Sequence, residues 1–216
     1  MSFVKCQAGH KKHDTMKVST ALGEMTVWDY EKYMDFHGYC TGQDALSQVL
    51  SKEEYWEFNN FKPVNKILEV GDRSNLVIDV GSHIGWYSKM ARNLGYDVVA
   101  IEADPENCEL TKLNAPGTDV RNIWLESGVE PLVTDRTIEF VKIDIEGAEE
   151  YAIDYLRLVM VHQVKNMMME ISPCFNDSYP ALLERLKLLF KIEELDGTPF
   201  DFKYNFSQKD LILRRL

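Results

Sequence analysis

From residue 64 onward, short runs of apolar residues alternate with segments whose apolar residues recur at helical spacing. Helices are expected to begin near Gly85, Pro105, Gly147 and Ser178. Nearly continuous apolar runs separated by helices are typical of a parallel sheet with helices on both faces. The last two runs have only a loop between them, which predicts an antiparallel hairpin at the C-terminal edge of the sheet. The predicted strands are LVIDV (76–80), DVVAIE (97–102), VRNIWL (120–125), IEFVKID (138–144), VKNMMMEI (164–171), KIEEL (191–195) and DLILRRL (210–216).

The first 60 residues follow a different pattern. Two β-prone runs flank Leu22 and Gly23 and predict a small hairpin. Ser51 with Glu54 three residues later has the form of a capping box, so a helix is expected after it, ending at Pro63. This part of the chain holds too little apolar material for a core of its own. We therefore interpret residues 1–60 as an N-terminal cap segment and residues 61–216 as the main domain.

The charge of the chain bears on its partners. The formal net charge is -11, and an acidic protein is repelled by nucleic-acid phosphates unless it carries a basic patch. The one candidate patch, from Lys5 to Lys17, is short, so nucleic acid is not the expected partner. No apolar run reaches the ~18 residues of a membrane helix, and the N-terminus lacks the apolar stretch of a signal peptide. A cytoplasmic protein without a membrane partner is expected.

Cysteine usage points to neither zinc nor disulfide bonds. Cys6, Cys40, Cys108 and Cys174 lie far apart and form no paired C-x-x-C spacing. No metal-ligand set is therefore assigned from the sequence.

The strand at 76–80 runs into a glycine-rich turn, in the stretch VIDVGSHIGWYS (77–88). Ligands of open α/β sheets bind beyond the carboxyl ends of the strands, and Gly81 and Gly85 lie at such an end. The spacing is G-x-x-x-G and not the G-x-G-x-x-G of dinucleotide sites. Asp79 disfavours a pyrophosphate but suits a ligand with a cationic amino group, such as S-adenosylmethionine. An ordinary strand-to-helix turn is the alternative.

Two further strand ends carry carboxylates. Glu102 ends the strand in VVAIEADPENCELTKLNA, where its oxygens can accept hydrogen bonds from both hydroxyls of a ribose. A solvated loop residue is the alternative. In FVKIDIEGAEE, Lys142, Asp144 and Glu146 alternate with apolar residues. Three charges on one strand face are costly to bury without partners. Asp144 and Glu146 are therefore expected at the lip of the sheet, with Lys142 paired to a nearby carboxylate.

These three stretches, together with MMMEISP (167–173), resemble the FkbM family of S-adenosylmethionine-dependent methyltransferases from about residue 64 to 180. The resemblance implies a Rossmann-like class I methyltransferase fold, with a mostly parallel seven-stranded sheet. It also implies O-methylation of a hydroxyl on a sugar or another small molecule. The segment between Asn114 and Ile138 is shorter than is usual in the family, so Glu126 alone is suggested near the adenine. The expected cofactor-binding residues are Asp79, Gly81, Ser82, His83, Gly85, Glu102, Ala103, Asp104, Glu126 and Asp144.

Methyl transfer to an alcohol requires removal of the hydroxyl proton. The candidate bases are Asp144, Glu146, His83 and Glu170, and the imidazole of His83 has hydrogen bonding within its own loop as the alternative. Clustered carboxylates could instead hold Mg²⁺, which the sequence permits but does not require. The expected partner is a small-molecule or glycan hydroxyl acceptor, and the expected assembly is a monomer or a homodimer.

Other functions compete with this hypothesis. An NAD-dependent oxidoreductase would need the dinucleotide glycine spacing, which the chain lacks. A binding module could retain the cofactor fold without catalysis, and the short segment after Asn114 keeps this hypothesis open. A methyltransferase that modifies a macromolecule is the third alternative.

Overall fold

A computed structural model describes residues 14–29, 45–157, 163–173, 175, 178–202, 206 and 208–216. Its strands are β1 Thr15–Thr20, β2 Gly23–Trp28, β3 Leu76–Val80, β4 Asp97–Glu102, β5 Asp119–Asn122, β6 Ile138–Ile143, β7 Val164–Ile171, β8 Phe190–Glu194 and β9 Lys209–Arg215. Its helices are α1 Ala45–Leu50, α2 Phe58–Val70, α3 Trp86–Asn93, α4 Pro105–Asn114, α5 Glu149–Tyr155 and α6 Tyr179–Leu186.

Seven strands form one sheet in the order β5-β4-β3-β6-β7-β9-β8. The first five of these are mutually parallel, whereas β9 pairs antiparallel with both β7 and β8. The predicted fold, with its C-terminal antiparallel hairpin, is confirmed. After β5 the chain returns to the other side of β3, so the strand order reverses between β3 and β6. Such a switch point leaves a crevice at the carboxyl ends of the strands.

Apolar side chains cover both faces of this sheet. On one face, Ile78 and Val141 pack in a cluster with residues of α5 and α6. On the other face, Val77 and Phe140 pack with residues of α2, α3 and α4. Alternation along the strands sends neighbouring side chains to opposite layers. This burial on both sides explains why the strands read as nearly continuous apolar runs.

The predicted N-terminal hairpin is also confirmed, as β1 and β2 pair antiparallel. Asn114 at the end of α4 fastens the hairpin to the sheet layer. Its side-chain oxygen accepts from the N–H of Thr26 at 2.7 Å, and its side-chain nitrogen donates to the carbonyl of Thr26 at 2.8 Å. Met25 and Val27 then join the core of α2 and α3. The extent of the cap segment stays a prediction, because residues 1–13 and 30–44 lie outside the described residues.

Two local predictions were wrong. Ser51 does not begin a helix but follows α1, where its hydroxyl donates to the carbonyl of Gln48 at 2.8 Å. The next helix begins at Phe58 and continues through Pro63 to Val70. Proline removes one backbone donor there, and burial of the helix face that carries Val64, Ile67 and Leu68 supports the helix beyond it.

The strand predicted at 120–125 is shorter than expected. It ends at Asn122, whose side-chain amide donates to the carbonyls of Glu102 and Ala103 at 3.0 and 2.8 Å. The chain then turns toward the carboxyl end of β4.

Among the described helices, none combines the length and the apolar character that crossing a membrane requires. Of the four cysteines, Cys108 is buried, and Cys6, Cys40 and Cys174 lie outside the described residues. Most of the basic cluster from Lys5 to Lys17 lies outside them as well.

Candidate active site

A cavity of about 650 Å³ opens at the switch point, beyond the carboxyl ends of β3, β4 and β6. Most of the residues proposed from the sequence as binding or catalytic groups reach its wall, although they are spread over some 65 positions of the chain. Those on the wall are Gly81, Ser82, His83, Glu102, Ala103, Glu126, Asp144 and Glu146. Asp79, Gly85, Asp104 and Glu170 do not line this cavity.

Gly81 allows the loops after β3 and β6 to touch. Its φ is 75°, a conformation that favours glycine. A Cβ at this position would lie 1.9 Å from the carbonyl oxygen of Asp144. The backbone N–H of Gly81 donates across the sheet to the carbonyl of Ile101 at 2.9 Å. Only a residue without a side chain lets the three strand ends approach so closely.

Glu102 is held in place by backbone donors. Its Oε2 accepts from the N–H of His83 at 2.7 Å, and its Oε1 accepts from the N–H of Asp104 at 2.9 Å. The side chain is 9% exposed and faces the cavity. A carboxylate offers about four lone-pair sites, so roughly two of them are left for donors from a ligand.

Three of the residues away from the wall, one in β3 and two in loops, support it from behind. Asp79 is buried, and its Oδ2 accepts from the hydroxyl of Ser88 at 2.6 Å. Gly85 precedes α3 with a φ of 88°, and a Cβ there would lie 3.0 Å from Thr111. Asp104 caps α4 as the sequence predicts, because its side chain accepts from the first two free N–H groups of that helix.

Lys142 is a buried cation next to the cavity. Its Nζ donates to the carbonyl of Gly81 at 2.7 Å and lies 3.2 Å from Asp144 Oδ2, as the predicted pairing requires. Burial alone lowers the pKa of this amine, but the nearby carboxylates of Asp144, Asp79 and Glu57 outweigh it and raise the pKa above its ordinary value. Lys142 therefore stays charged and orients the carboxylate of Asp144.

The charged layer beside the larger cavity consists of Lys142, Asp144 and Asp79. Asp79 stands beside Lys142 in the register of β3 and β6. Burial raises the pKa of its carboxyl group, and Lys142 and Ser88 oppose the rise. Among the described residues its Oδ1 has no hydrogen-bond partner, although the side chain is only 1% exposed.

A second, smaller cavity of about 400 Å³ lies next to this layer. Its walls include Glu57, Glu170 and Asp210. Oxygens of Glu57, Asp144 and Glu170 all lie within 4.8 Å of one another, so the carboxylates connect the two cavities. Oxygen atoms at such spacing are also suited to a divalent cation such as Mg²⁺.

Glu170 and Asp210 face each other directly across the antiparallel pair of β7 and β9. Burial, reinforced by the charge of Asp144, raises the pKa of Glu170 to about 7. Burial and the charge of Glu57 raise the pKa of Asp210 to about 6. A carboxyl group with a pKa near neutrality can take up and release a proton at physiological pH.

Glu57 is the residue that sequence analysis missed most completely. It precedes α2 with a φ of 44°, and its Oε2 accepts from the hydroxyl of Tyr87 at 2.9 Å. The misplaced helix start hid it, because Glu57 was expected inside a helix and not at its beginning. Asp210 was also missed, although a lone carboxylate at the start of an apolar strand such as DLILRRL could have signalled it.

Aromatic side chains form part of the larger cavity. Trp86 is buried there, and its Nε1 has no hydrogen-bond partner among the described residues. Trp124, just after β5, is 71% exposed, and Tyr151 at the start of α5 is 43% exposed. Trp124 is thus a large apolar surface at the rim, close in sequence to Glu126.

His83 and Glu146 line the cavity from left-handed backbone conformations, with φ values of 49° and 46°. The carbonyl of His83 accepts from the hydroxyl of Thr111 at 2.7 Å, which fixes the loop against α4. Strained residues of this kind concentrate at functional sites. Glu146 is exposed, in contrast to the half-buried Asp144.

Neither a protein-family model nor a curated protein sequence matches this chain. Solved structures do. A putative methyltransferase from Streptococcus mutans, in complex with SAH, is similar with a TM-score of 0.50 and 13% identity, over 73% of this chain and 98% of that one. A TehB-like SAM-dependent methyltransferase from Corynebacterium glutamicum gives a TM-score of 0.49 and 14% identity, over 71% and 88%. A precorrin-6y C5,15-methyltransferase from Geobacter metallireducens gives 0.48 and 17%, over 71% and 86%.

At such low identity, likeness in structure speaks for the fold alone. The Streptococcus protein is matched over 98% of its length. The sheet of this chain has the strand order β5-β4-β3-β6-β7-β9-β8, with an antiparallel hairpin of β8 and β9 at its C-terminal edge. This chain therefore has the Rossmann-like fold of the class I methyltransferases.

Proposed function

We propose that this protein is an S-adenosylmethionine-dependent methyltransferase of the FkbM type, which methylates a hydroxyl oxygen of a small molecule or sugar. The observation that carries the proposal is the tie between the glycine loop and Glu102. The N–H of His83 bonds the Glu102 carboxylate, and both residues face one cavity at the switch point of the sheet. We also propose that residues 1–60 act as a cap on this domain.

The donors and acceptors of the larger cavity fit the cofactor. Glu102 keeps acceptor sites for ribose hydroxyls, and the loop from Gly81 to His83 brings backbone groups to the wall. Trp124 and Glu126 lie on the same wall and suit an aromatic base with an exocyclic amine. A volume of about 650 Å³ is in the range of small-molecule sites.

When bound, S-adenosylmethionine would supply a methyl group on a sulfonium, which is open to attack by an oxygen. The residues of the chain have the tasks of positioning the acceptor and removing its proton. Positioning alone can lower a barrier by roughly 7–11 kcal/mol. A correctly positioned general base increases the rate by about 10²–10⁴-fold.

Glu170 is the best candidate for the base. Its carboxylate lies within 4.8 Å of Asp144, at the junction of the two cavities. Asp144 is already paired with Lys142, so we assign it to orienting the acceptor. His83 and Glu146 also line the cavity and remain candidates for acceptor contacts.

Isothermal titration with S-adenosylhomocysteine tests the cofactor assignment, with NAD as the matched control. Micromolar binding of S-adenosylhomocysteine alone is expected. Equal or tighter binding of NAD would contradict the proposal. Turnover with labelled S-adenosylmethionine, followed in small-molecule and macromolecular fractions, then tests the acceptor class. Label that enters only protein or nucleic acid would overturn the small-molecule assignment, and bound cofactor without any label transfer to a broad acceptor panel would favour a binding module.

A further inference from the structure

The second cavity carries an excess of negative charge. Three of its lining residues, Glu57, Glu170 and Asp210, are carboxylates, and Asp144 lies within 4.8 Å of the first two. Glu170 and Asp210 stand directly opposite each other on neighbouring strands. Like charges in this arrangement are destabilising unless a cation offsets them.

The cations near this cavity in the described part of the chain are already engaged. Lys142 binds the carbonyl of Gly81 and the carboxylate of Asp144. Lys209 lines the cavity, but its Nζ donates to Glu194 at 2.7 Å and lies over the ring of Phe200. Within the part of the chain that the structure describes, no ion pair reaches the three carboxylates of the cavity.

The hydrogen bonds that these carboxylates accept from described residues come from neutral groups. Tyr87 donates to Glu57 at 2.9 Å, and Ser172 donates to Glu170 at 3.2 Å. The buried Asp79, whose Oδ1 has no partner among the described residues, adds a further negative group beside Lys142. Among the described residues, the carboxylates around the cavity therefore outnumber the cations.

Asn60 shows how a nitrogen fits between two of the carboxylates. Its Nδ2 lies 3.1 Å from Glu57 Oε2 and 3.0 Å from Asp210 Oδ2. One amide nitrogen thus lies within hydrogen-bonding distance of both carboxylates. A carboxylate has about four lone-pair sites, so each of the two retains acceptor sites. An ammonium group, with three donors and a positive charge, is complementary to this arrangement.

We propose that the methyl acceptor carries an amino group, which Glu57 and Asp210 bind as an ammonium in the second cavity beside Glu170. The inference rests on the proposed function, because it assigns this cavity to the acceptor. The short distances between the carboxylates place the amine near the hydroxyl that is methylated, as in an amino sugar or a 1,2-amino alcohol. Glu57 and Asp210 are then residues that determine acceptor specificity.

Matched pairs of probes test this inference. D-glucosamine differs from D-glucose, and 2-aminoethanol from ethylene glycol, by one amino group in place of a hydroxyl. Their dissociation constants are measured by ligand-observed NMR at pH 7.5, on the full chain with and without saturating S-adenosylhomocysteine. The variants are Glu57→Gln and Asp210→Asn, which keep the size of the side chain. Glu184→Gln, at an exposed position of α6, is the control.

The expected result is at least tenfold tighter binding of the amine in each pair. The two cavity variants should reduce this preference at least fivefold, and the control should not. Equal binding of amine and neutral probes would overturn the inference, and so would a preference that both cavity variants retain. Tight binding of Mg²⁺, abolished by the same variants without any amine preference, would assign the site to a metal ion instead.

Failure of the proposed function has a different signature. If S-adenosylhomocysteine does not bind, the cofactor assignment fails. The amine preference of the second cavity can still be measured in the absence of S-adenosylhomocysteine. If S-adenosylhomocysteine binds and amines are not preferred, only the acceptor inference fails. Thermal unfolding of each variant verifies that the loss of binding does not come from loss of the fold.

Discussion

The backbone N–H of His83 donates a 2.7 Å hydrogen bond to Glu102 Oε2 and joins the loop after β3 to the tip of β4. The two residues are not neighbours in sequence, since 18 positions and the whole of α3 lie between them. The bond fixes the direction of the Glu102 carboxylate before any ligand arrives. Preorganisation of this kind lowers the entropic cost of binding.

Removal of the Glu102 carboxylate should weaken cofactor binding. We expect Glu102→Ala to raise the dissociation constant of S-adenosylhomocysteine more than tenfold, because ribose hydroxyls lose their acceptor. Two backbone N–H groups also lose their partner, which costs roughly 1–3 kcal/mol of folding stability for each one left buried. Titration calorimetry measures the first effect and urea unfolding the second. Glu109→Ala, on the exposed side of α4, is the control, and an unchanged affinity in Glu102→Ala would remove this residue from the site.

A methyl group at Gly81 should separate the loops after β3 and β6. Gly81→Ala and Gly128→Ala both place alanine at positive φ, which costs about 1–2 kcal/mol. Only the Cβ at position 81 meets another atom, the carbonyl oxygen of Asp144, whereas position 128 is open. We therefore expect an additional loss of about 1–3 kcal/mol for Gly81→Ala, together with reduced binding of S-adenosylhomocysteine. If urea unfolding shows the same loss of stability for both variants, the contact between the new Cβ at position 81 and the carbonyl oxygen of Asp144 is relieved without a cost in free energy.

The carboxylate of Asp144 should matter more for turnover than for stability. Asp144→Asn keeps the shape of the side chain but leaves Lys142 with the carbonyl of Gly81 and the more distant carboxylates as partners. We expect kcat to fall at least tenfold, with a change in melting temperature of a few degrees. Steady-state turnover with labelled cofactor measures the first quantity, and thermal unfolding measures the second. Wild-type turnover in the variant would exclude Asp144 from the mechanism.

Stability should depend on pH through Asp210. Burial and the charge of Glu57 raise the pKa of this carboxyl group to about 6, from 3.8 in the absence of the fold. The folded protein holds this proton more tightly than the unfolded chain, so its stability falls as the pH rises from about 4 to about 6. Asp210→Asn removes that loss.

The free energy of unfolding of Asp210→Asn, relative to wild type, should therefore increase by about 1–3 kcal/mol between pH 4 and pH 7. Urea unfolding at each pH unit measures it. Asp196→Asn, in an exposed turn, is the comparison, and its difference should not increase over the same range because the pKa of Asp196 is lowered. If the difference in unfolding free energy between Asp210→Asn and wild type stays constant with pH, the expected link between the protonation of Asp210 and stability is contradicted.

The exposed ring of Trp124 should contribute to cofactor affinity and not to the fold. It is 71% exposed at the rim of the larger cavity, where it can stack on an aromatic base. Stacking of a base on an aromatic side chain is worth about 1–3 kcal/mol. Trp124→Ala should therefore weaken S-adenosylhomocysteine binding about fivefold or more, with an unchanged melting temperature. Trp124→Phe should retain most of the affinity, and equal affinity in the alanine variant would place the base elsewhere.

Local sequence determined the elements of the sheet and the loop that begins the site. Strands β3, β4 and β7 have the bounds that their apolar runs predict, because burial on both faces leaves an uninterrupted signal. Asp104 and Pro105 define the start of α4 by their own hydrogen bonding and backbone preference. The position of Gly81 and Glu102 at strand ends followed from the same runs.

The tertiary structure alone decided how charges meet. Glu57 reaches Asp144 and Glu170 because α2 begins later than its sequence signals, and helix burial overrides the proline at 63. Asp210 opposes Glu170 only through the antiparallel register of β9 with β7. Contacts between residues 40 or more positions apart cannot be recognised from the hydrophobic periodicity of one sequence. This periodicity shows which face of an element is buried, but not which residues pack against that face. The chemistry of the second cavity therefore became visible only in the folded chain.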